Sequence, residues 1–282
     1  MKKCKKQGSF HTRLWHIYSN PYLYHAIANV MAVKYSIETH LDDPQTTIRH
    51  REIILSKKFL KKIYIQWYGS FMAEAAKHPG GRFLEIGSGG GFLKDLLPNV
   101  ITSDIMPLPH VEMQFSAEKM PFGDNELDGI FMVNVLHHIP RPYNFFREAE
   151  RTLKPGGKII MIEPANTPLS QFIYKHFHHE PFLPGAGWEI DSTGPLSGAN
   201  GAIPYITMIR DRKKFESTFP QLRIDSIKLH TAFLYTVSGG VSRRCLVPEF
   251  TYSFWKGLEK VPLVNTLCAM MGTYTVSKKA SA

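Results

Sequence analysis

The sequence predicts an α/β protein: a seven-stranded, mostly parallel sheet with helices on both faces, a helical region before it and two insertions within it. Three observations predict this. Between residues 82 and 163, short apolar runs alternate with helix-like segments, the pattern of strands joined by crossover helices. The first run passes into a glycine-rich turn, Gly87-Ser88-Gly89-Gly90-Gly91. Two further strand-like runs, 222–233 and 272–279, enclose a long apolar stretch.

Residues 1–80 read as one helical, basic region. Ile53, Ile54, Phe59, Leu60, Ile63, Tyr64, Trp67 and Phe71 recur at helical spacing, with lysines 57, 58, 61 and 62 between them. His78-Pro79-Gly80-Gly81 ends it, and residues 81–282 hold the sheet. Strands are predicted over 82–86, 100–104, 111–115, 128–135 and 158–163. The glycine turn is expected to open a helix. A second helix, 143–153, is expected to close in the turn Lys154-Pro155-Gly156-Gly157. From 165 to 207 the pattern breaks into Gly, Pro and aromatic residues, which predicts a lid or binding loop. Residues 211–219 read as helix, and about 234–271 as an inserted helical element between the last two strands.

The net charge of +10 is uneven: 13 Lys+Arg against 5 Asp+Glu over 1–80, 8 against 11 over 81–165, and 13 against 8 over 166–282. The basic surplus therefore lies outside the segment with the glycine turn, where it can meet an anionic membrane surface, nucleic acid or a phosphorylated substrate, or serve solubility alone. Cys4, Cys245 and Cys268 form no CxxC pair and read as thiols of a reducing cytoplasm. The lysine-rich start lacks the apolar run of a secretory signal, and 261–276 is too short and broken to span a bilayer. The expected location is cytoplasmic, with peripheral membrane contact open.

Glycine lets a backbone approach a ligand closely, but a glycine-rich turn alone does not choose the ligand. The spacing here is G-x-G-x-G with Phe92 where a dinucleotide fingerprint has its third glycine, and no Gly-Lys-Ser/Thr follows for a phosphate loop. Phe83-Leu84-Glu85-Ile86-Gly87-Ser88-Gly89-Gly90-Gly91 instead resembles the class I, Rossmann-like S-adenosylmethionine-dependent methyltransferases, most closely the type 11 group. Four further landmarks are similar to that family: Asp104, 19 residues after Glu85; Ser116-Ala117-Glu118-Lys119-Met120-Pro121-Phe122; Asn134-Val135-Leu136-His137-His138; and Leu153-Lys154-Pro155-Gly156-Gly157. The resemblance implies S-adenosylmethionine as cofactor. It implies that Glu85 serves the methionine amino end, that Gly87, Ser88, Gly89 and Gly91 form the turn, and that Asp104 accepts from the ribose hydroxyls. Ile105, Ser116, Ala117, Glu118 and Asn134 complete the implied cofactor set. Ser116 stands where the family usually has Asp.

His137 and His138 follow the fourth strand, at the sheet end where ligands of such folds bind. Either can act as a general base toward a hydroxyl acceptor, or simply pack and cap. His176, His178, His179 and Glu180 can gate the acceptor pocket or lie at the surface. Their spacing lacks a zinc motif, so no metal is assigned. The expected acceptor is a hydroxyl on a small molecule, a glycan or a lipid-linked intermediate. Two stretches, 194–200 and 238–242, resemble methyltransferases encoded with bacterial cell-surface polysaccharide genes. An RNA methyltransferase is the alternative, motivated by basic residues interleaved with Tyr18, Tyr22, Tyr24, Tyr64, Trp67 and Tyr68. Nucleic acid is nonetheless disfavoured, because no RNA-binding module or Asn-Pro-Pro-Tyr motif is present. A non-catalytic cofactor-binding protein is the remaining reading. The 234–271 insertion, with Arg243, Arg244, Lys256 and Lys260 among its apolar residues, can pack as core, cap the pocket or lie on a membrane.

Overall fold

The computed structural model describes residues 41–191 and 194–280. Cys4, the lysine-rich start and Tyr18, Tyr22 and Tyr24 lie outside the described residues. The chain opens with α1 (Pro44–Ser56) and α2 (Lys58–Ala75). Asp43 caps α1 by accepting from the Gln45 backbone N–H (2.8 Å), and Pro44 sits in the first turn, where its missing N–H costs nothing. The helical spacing read from the sequence places Phe59, Leu60, Ile63, Tyr64, Trp67 and Phe71 in the core, and Tyr68 joins them. Burying each such aromatic contributes about 1.5–3 kcal/mol. Trp67 and Tyr68 are therefore packing residues, and Tyr64, also buried from the outer surface, lines the internal cavity.

The sheet comprises β1 (Phe83–Ile86), β2 (Ile101–Asp104), β3 (Met113–Gln114), β4 (Leu127–Val133), β5 (Leu153–Pro164), β6 (Leu222–His230) and β7 (Met271–Lys278), in the order β3-β2-β1-β4-β5-β7-β6. β1 to β5 pair in parallel; β7 is antiparallel to both β5 and β6. The order reverses between β1 and β4, which puts the ligand crevice beyond the carboxyl ends of those strands. Phe71 of α2 stacks on Phe131 of β4 (4.7 Å between ring centroids), which stacks in turn on Phe83 of β1 (5.4 Å). α3 (Pro142–Thr152) is pinned through Phe146 to Phe215 of α6 (Arg212–Thr218) and to Phe219.

Two expectations differ from the structure. The glycine turn does not open an α-helix: only a 3-10 turn, Leu93–Asp95, follows it. Pro98 removes an N–H that a helix would need and pushes Leu97 out of helical geometry, so too few residues remain. The Lys154-Pro155-Gly156-Gly157 turn is absorbed into β5. Leu153 pairs with Leu127 and Lys158 with Gly129, leaving the four residues between as a bulge opposite Asp128. Gly156 takes φ +83° there, and Lys154 reaches the Asp128 carboxylate (2.6 Å).

The 165–207 stretch begins with α4 (Pro168–Phe177), runs irregularly, and re-enters helix at α5 (Ile203–Tyr205) and a π-turn, Ile206–Arg210. The second insertion holds α7 (Leu234–Ser238), α8 (Tyr252–Leu258) and α9 (Pro262–Cys268). Among the described residues, no helix is long and apolar enough to cross a membrane.

Candidate cofactor and acceptor site

A cavity of about 1050 Å³ opens beyond the carboxyl ends of β1, β2 and β4. Its floor is the glycine turn. Gly87 has φ +68°, and a Cβ there would stand 2.3 Å from Val135 Cγ2, so glycine is required on both counts. A Cβ on Gly89 would lie 2.4 Å from Thr47 and 2.8 Å from the Asp104 carboxylate. Ser88 turns inward: its Oγ accepts from the Ser103 N–H and its hydroxyl donates to the Glu85 carbonyl (both 3.3 Å). It fastens the turn to β2 and does not line the cavity.

Asp104 ends β2 at the cavity wall. One carboxylate oxygen accepts from the Met106 N–H (2.9 Å), the other from the Gly89 N–H (3.1 Å). Burial raises its pKa, and the backbone donors oppose the rise. Two fixed oxygens with lone pairs to spare suit a ligand carrying adjacent hydroxyls. Gly87, Gly89, Ile105, Ser116, Ala117 and Asn134 line the same cavity. Asn134 has φ +56°, at the sharp exit from β4. Glu85 and Gly91 stand behind the turn. The Glu85 carboxylate is buried, and burial pushes it up to about 7 against the pull of the Ser88 hydroxyl. A Cβ on Gly91 would lie 2.7 Å from the Tyr68 hydroxyl and 3.4 Å from Glu85 Oε1, so glycine keeps that approach open. Glu118 is not brought to the cavity. Its carboxylate accepts from the Arg141 N–H (3.0 Å) and the Asn144 amide (3.1 Å) at the start of α3. A bare backbone cradle, a diol-matched carboxylate and a buried acid facing a glycine gap fit S-adenosylmethionine, which carries a ribose and an ammonium.

The histidine pair sits on a 3-10 turn, Leu136–His138, opposite the glycine floor. Glu163, the penultimate residue of β5, beside β4, organises the turn: its Oε1 accepts from the Val135 and Leu136 N–H groups (2.8 Å each) and its Oε2 meets His137 Nδ1 at 2.6 Å. His137 Nε2 lies 3.4 Å from Glu180. Burial alone would lower the His137 pKa, but Glu163 and then Glu180 reverse this and raise it to about 10. His137 is thus an imidazolium between two carboxylates. His138 is its opposite: burial and then the His137 charge lower it to about 4, so it is neutral. Its Nδ1–H donates to the Gly198 carbonyl (3.1 Å), which leaves the Nε2 lone pair toward the cavity, 3.6 Å from Glu180. Burial would push Glu180 up, yet the hydrogen bond and charge of His137 hold it well below the usual carboxylate range. Of the His176–Glu180 cluster, His178, His179 and Glu180 line the cavity, whereas His176 is exposed on α4. His137, His138 and Glu180 have ligand atoms within 4.8 Å of one another, close enough to share an ion.

Both insertions wall this cavity. Pro181, Phe182, Gly194, Pro195, Leu196 and Gly201 come from the first, and Tyr235, Thr236 and residues 239–243 from the second. Asp42, just before α1, accepts from the Leu196 and Ser197 N–H groups (2.7 and 2.9 Å). Lys57, between α1 and α2, donates to the carbonyls of Gly240 (2.7 Å) and Arg243. Sequence reasoning missed Glu163, Asp42 and Lys57. Only Glu163 left a signal, an acid next to the end of the strand beside the one that delivers the histidines.

The profile of the family described as "Methyltransferase domain" matches residues 84–161, the segment holding every strand of the cavity floor. A demethylmenaquinone methyltransferase of Symbiobacterium thermophilum is 27% identical over 202 residues, covering 63% of this chain and 80% of that protein. A ubiquinone/menaquinone biosynthesis C-methyltransferase, UbiE, of Azotobacter vinelandii is 36% identical over 78 residues, 27% of this chain and 30% of its own length. An uncharacterized methyltransferase of Mycobacterium leprae is 28% identical over 126 residues, 44% of this chain and 41% of its own. The chain thus spans most of the first relative but less than half of the other two. The cavity floor and the matched segment coincide: residues 84–161 carry a methyltransferase domain, and the site built on it matches that of an S-adenosylmethionine-dependent methyltransferase of class I.

Proposed function

We propose that the chain methylates a ring carbon of a hydroxylated aromatic acceptor borne on an apolar molecule, as a quinol is. The observation that carries this reading is the single cavity itself. One end is the cofactor cradle, the middle holds His137 and His138, and the far walls include Ile173, Tyr174, Phe177, Phe182, Tyr235 and Met270. Such walls favour an apolar acceptor and gain little from a bare glycan. The names of the relatives, which act on demethylmenaquinone or in ubiquinone and menaquinone biosynthesis, move the favoured nucleophile from oxygen to carbon.

S-Adenosylmethionine supplies the methyl as an electrophile. The chain supplies charge and position. The His138 Nε2 lone pair accepts the acceptor's hydroxyl proton, and ionised Glu180 beside it offsets the imidazolium that forms. The His137 imidazolium favours the ring oxyanion. Electron density moves from that oxygen into the ring, the adjacent carbon bonds the methyl as the methyl–sulfur bond breaks to leave the neutral thioether, that carbon's own proton passes to water, and His138 returns its proton to the oxygen, so the hydroxyl is restored.

The test is transfer of labelled methyl to a reduced naphthoquinol with a short prenyl tail, with the product located by NMR. A new ring C–CH₃ signal is expected. Methylation on oxygen would return the reading to a hydroxyl acceptor, and no transfer by protein that binds the cofactor would refute an aromatic acceptor.

A further inference from the structure

We propose that the second insertion docks the protein on an anionic lipid bilayer, with the acceptor cavity next to the docked face. Of the fifteen large apolar side chains exposed among the described residues, seven lie in the one stretch from Leu246 to Leu267, too dense for scattered surface exposure. Phe250 is 85% exposed, Leu263 65% and Phe254 62%. This is not a failure of the segment to fold. Tyr252 turns inward onto Phe59 (5.1 Å) and Trp255 onto Phe233 (6.3 Å), and α9 packs on α4 and β6. The same helices then present Phe254, Leu258, Leu263 and Leu267 outward.

The charge beside this face has one sign. Arg244, Lys256 and Lys260 are exposed. The insertion has two acids, and neither offers free negative charge: Glu249 pairs with Lys62 (2.9 Å) and Lys58 (3.9 Å), and buried Glu259 accepts from the Phe233 and Leu234 N–H groups. Aromatic and aliphatic side chains with interspersed cations match a layer of anionic headgroups over hydrocarbon. A second copy seated on the same face would bring Arg244, Lys256 and Lys260 against their own counterparts, like charge on like, whereas an anionic headgroup layer neutralises them. The insertion is also continuous with the acceptor site, because Tyr235 and residues 239–243, ahead of the exposed stretch, line the cavity. A lipid-dissolved acceptor would then enter without crossing water, which ties the purpose of the docking, though not its evidence, to the reading above.

The experiment is co-sedimentation of the full chain with phosphatidylcholine vesicles, with and without phosphatidylglycerol, at low and high salt, with neither acceptor nor cofactor present. Two variants accompany it: Phe250→Ser/Phe254→Ser/Leu263→Ser and Lys256→Glu/Lys260→Glu. Far-UV circular dichroism and cofactor affinity report that each is folded. Binding to the anionic vesicles only is expected, weakened by salt, at least tenfold weaker in the serine variant and about fivefold weaker per cation reversed. No binding to either vesicle overturns the proposal. So does equal binding by wild type and both variants, or a dimer that the serine substitutions dissolve in the absence of vesicle binding. Failure here leaves ring methylation standing, and failure of ring methylation leaves vesicle binding to be read on its own.

Discussion

The buried Glu85 makes cofactor affinity depend on pH in a direction that can be worked out beforehand. Its carboxyl titrates near 7 in the free protein because burial penalises the charge. A bound ammonium needs the ionised form, so binding must pull the proton off, and affinity follows the ionised fraction. With a pKa of about 7, that fraction is about 3% at about pH 5.5 and about 76% at about pH 7.5, a gain of about 25-fold or about 1.9 kcal/mol. The range stops short of the cofactor's own amine, which loses its charge near about pH 8. Isothermal titration calorimetry across this window gives the slope directly and, in two buffers, the proton released. Asp104 is also raised by burial and adds in the same direction, so Glu85→Gln is the control: it should bind weakly and with a much flatter profile. An affinity independent of pH, or the same slope in Glu85→Gln, would refute the assignment of Glu85 to the ammonium.

Three further outcomes follow from the same geometry. Because Glu85 prefers the proton when folded, its charge destabilises the empty protein increasingly as pH rises from its unfolded value of 4.5 toward about 7, by on the order of 3 kcal/mol above that; Glu85→Gln should raise the melting temperature at pH 8 while it loses cofactor. His138→Asn should lower turnover about 10²–10⁴-fold with cofactor affinity intact, whereas His137→Asn should cost about 3–5 kcal/mol of stability by leaving Glu163 unpaired. Since the folded His137 titrates near 10 and the unfolded near 6.5, wild-type stability from this pair is full below 6.5 and is lost as pH rises through 10; equal melting temperatures of the two variants would contradict the division of roles. Asp104→Ala should weaken cofactor binding by about 1.5–3 kcal/mol, and unchanged calorimetric affinity would remove Asp104 from the ribose.

The cofactor floor was legible because it is local. A strand, a turn that only glycine can make, and an acid at the end of the next strand lie within 22 residues, from Phe83 to Asp104. The core stripe of α2 was legible for the same reason, as one period repeated along one helix. The acceptor half was not. Which histidine carries the charge depends on Glu163, Glu180 and Gly198, which reach residues 137 and 138 only through tertiary folding. Local pattern also misled at Pro155-Gly156-Gly157, where a turn signal became a bulge once β4 offered a partner strand. Glu118, next to Ala117, which lines the cavity, was drawn away by the start of α3.

Asp42 and Lys57 stand at the two ends of α1, and each grips a different insertion. A tilt of that one helix would therefore carry both walls of the cavity with it. The two walls are thus coupled through a single element, and loosening either grip, by Asp42→Ala or Lys57→Met, should change acceptor release in the same direction in stopped-flow measurements.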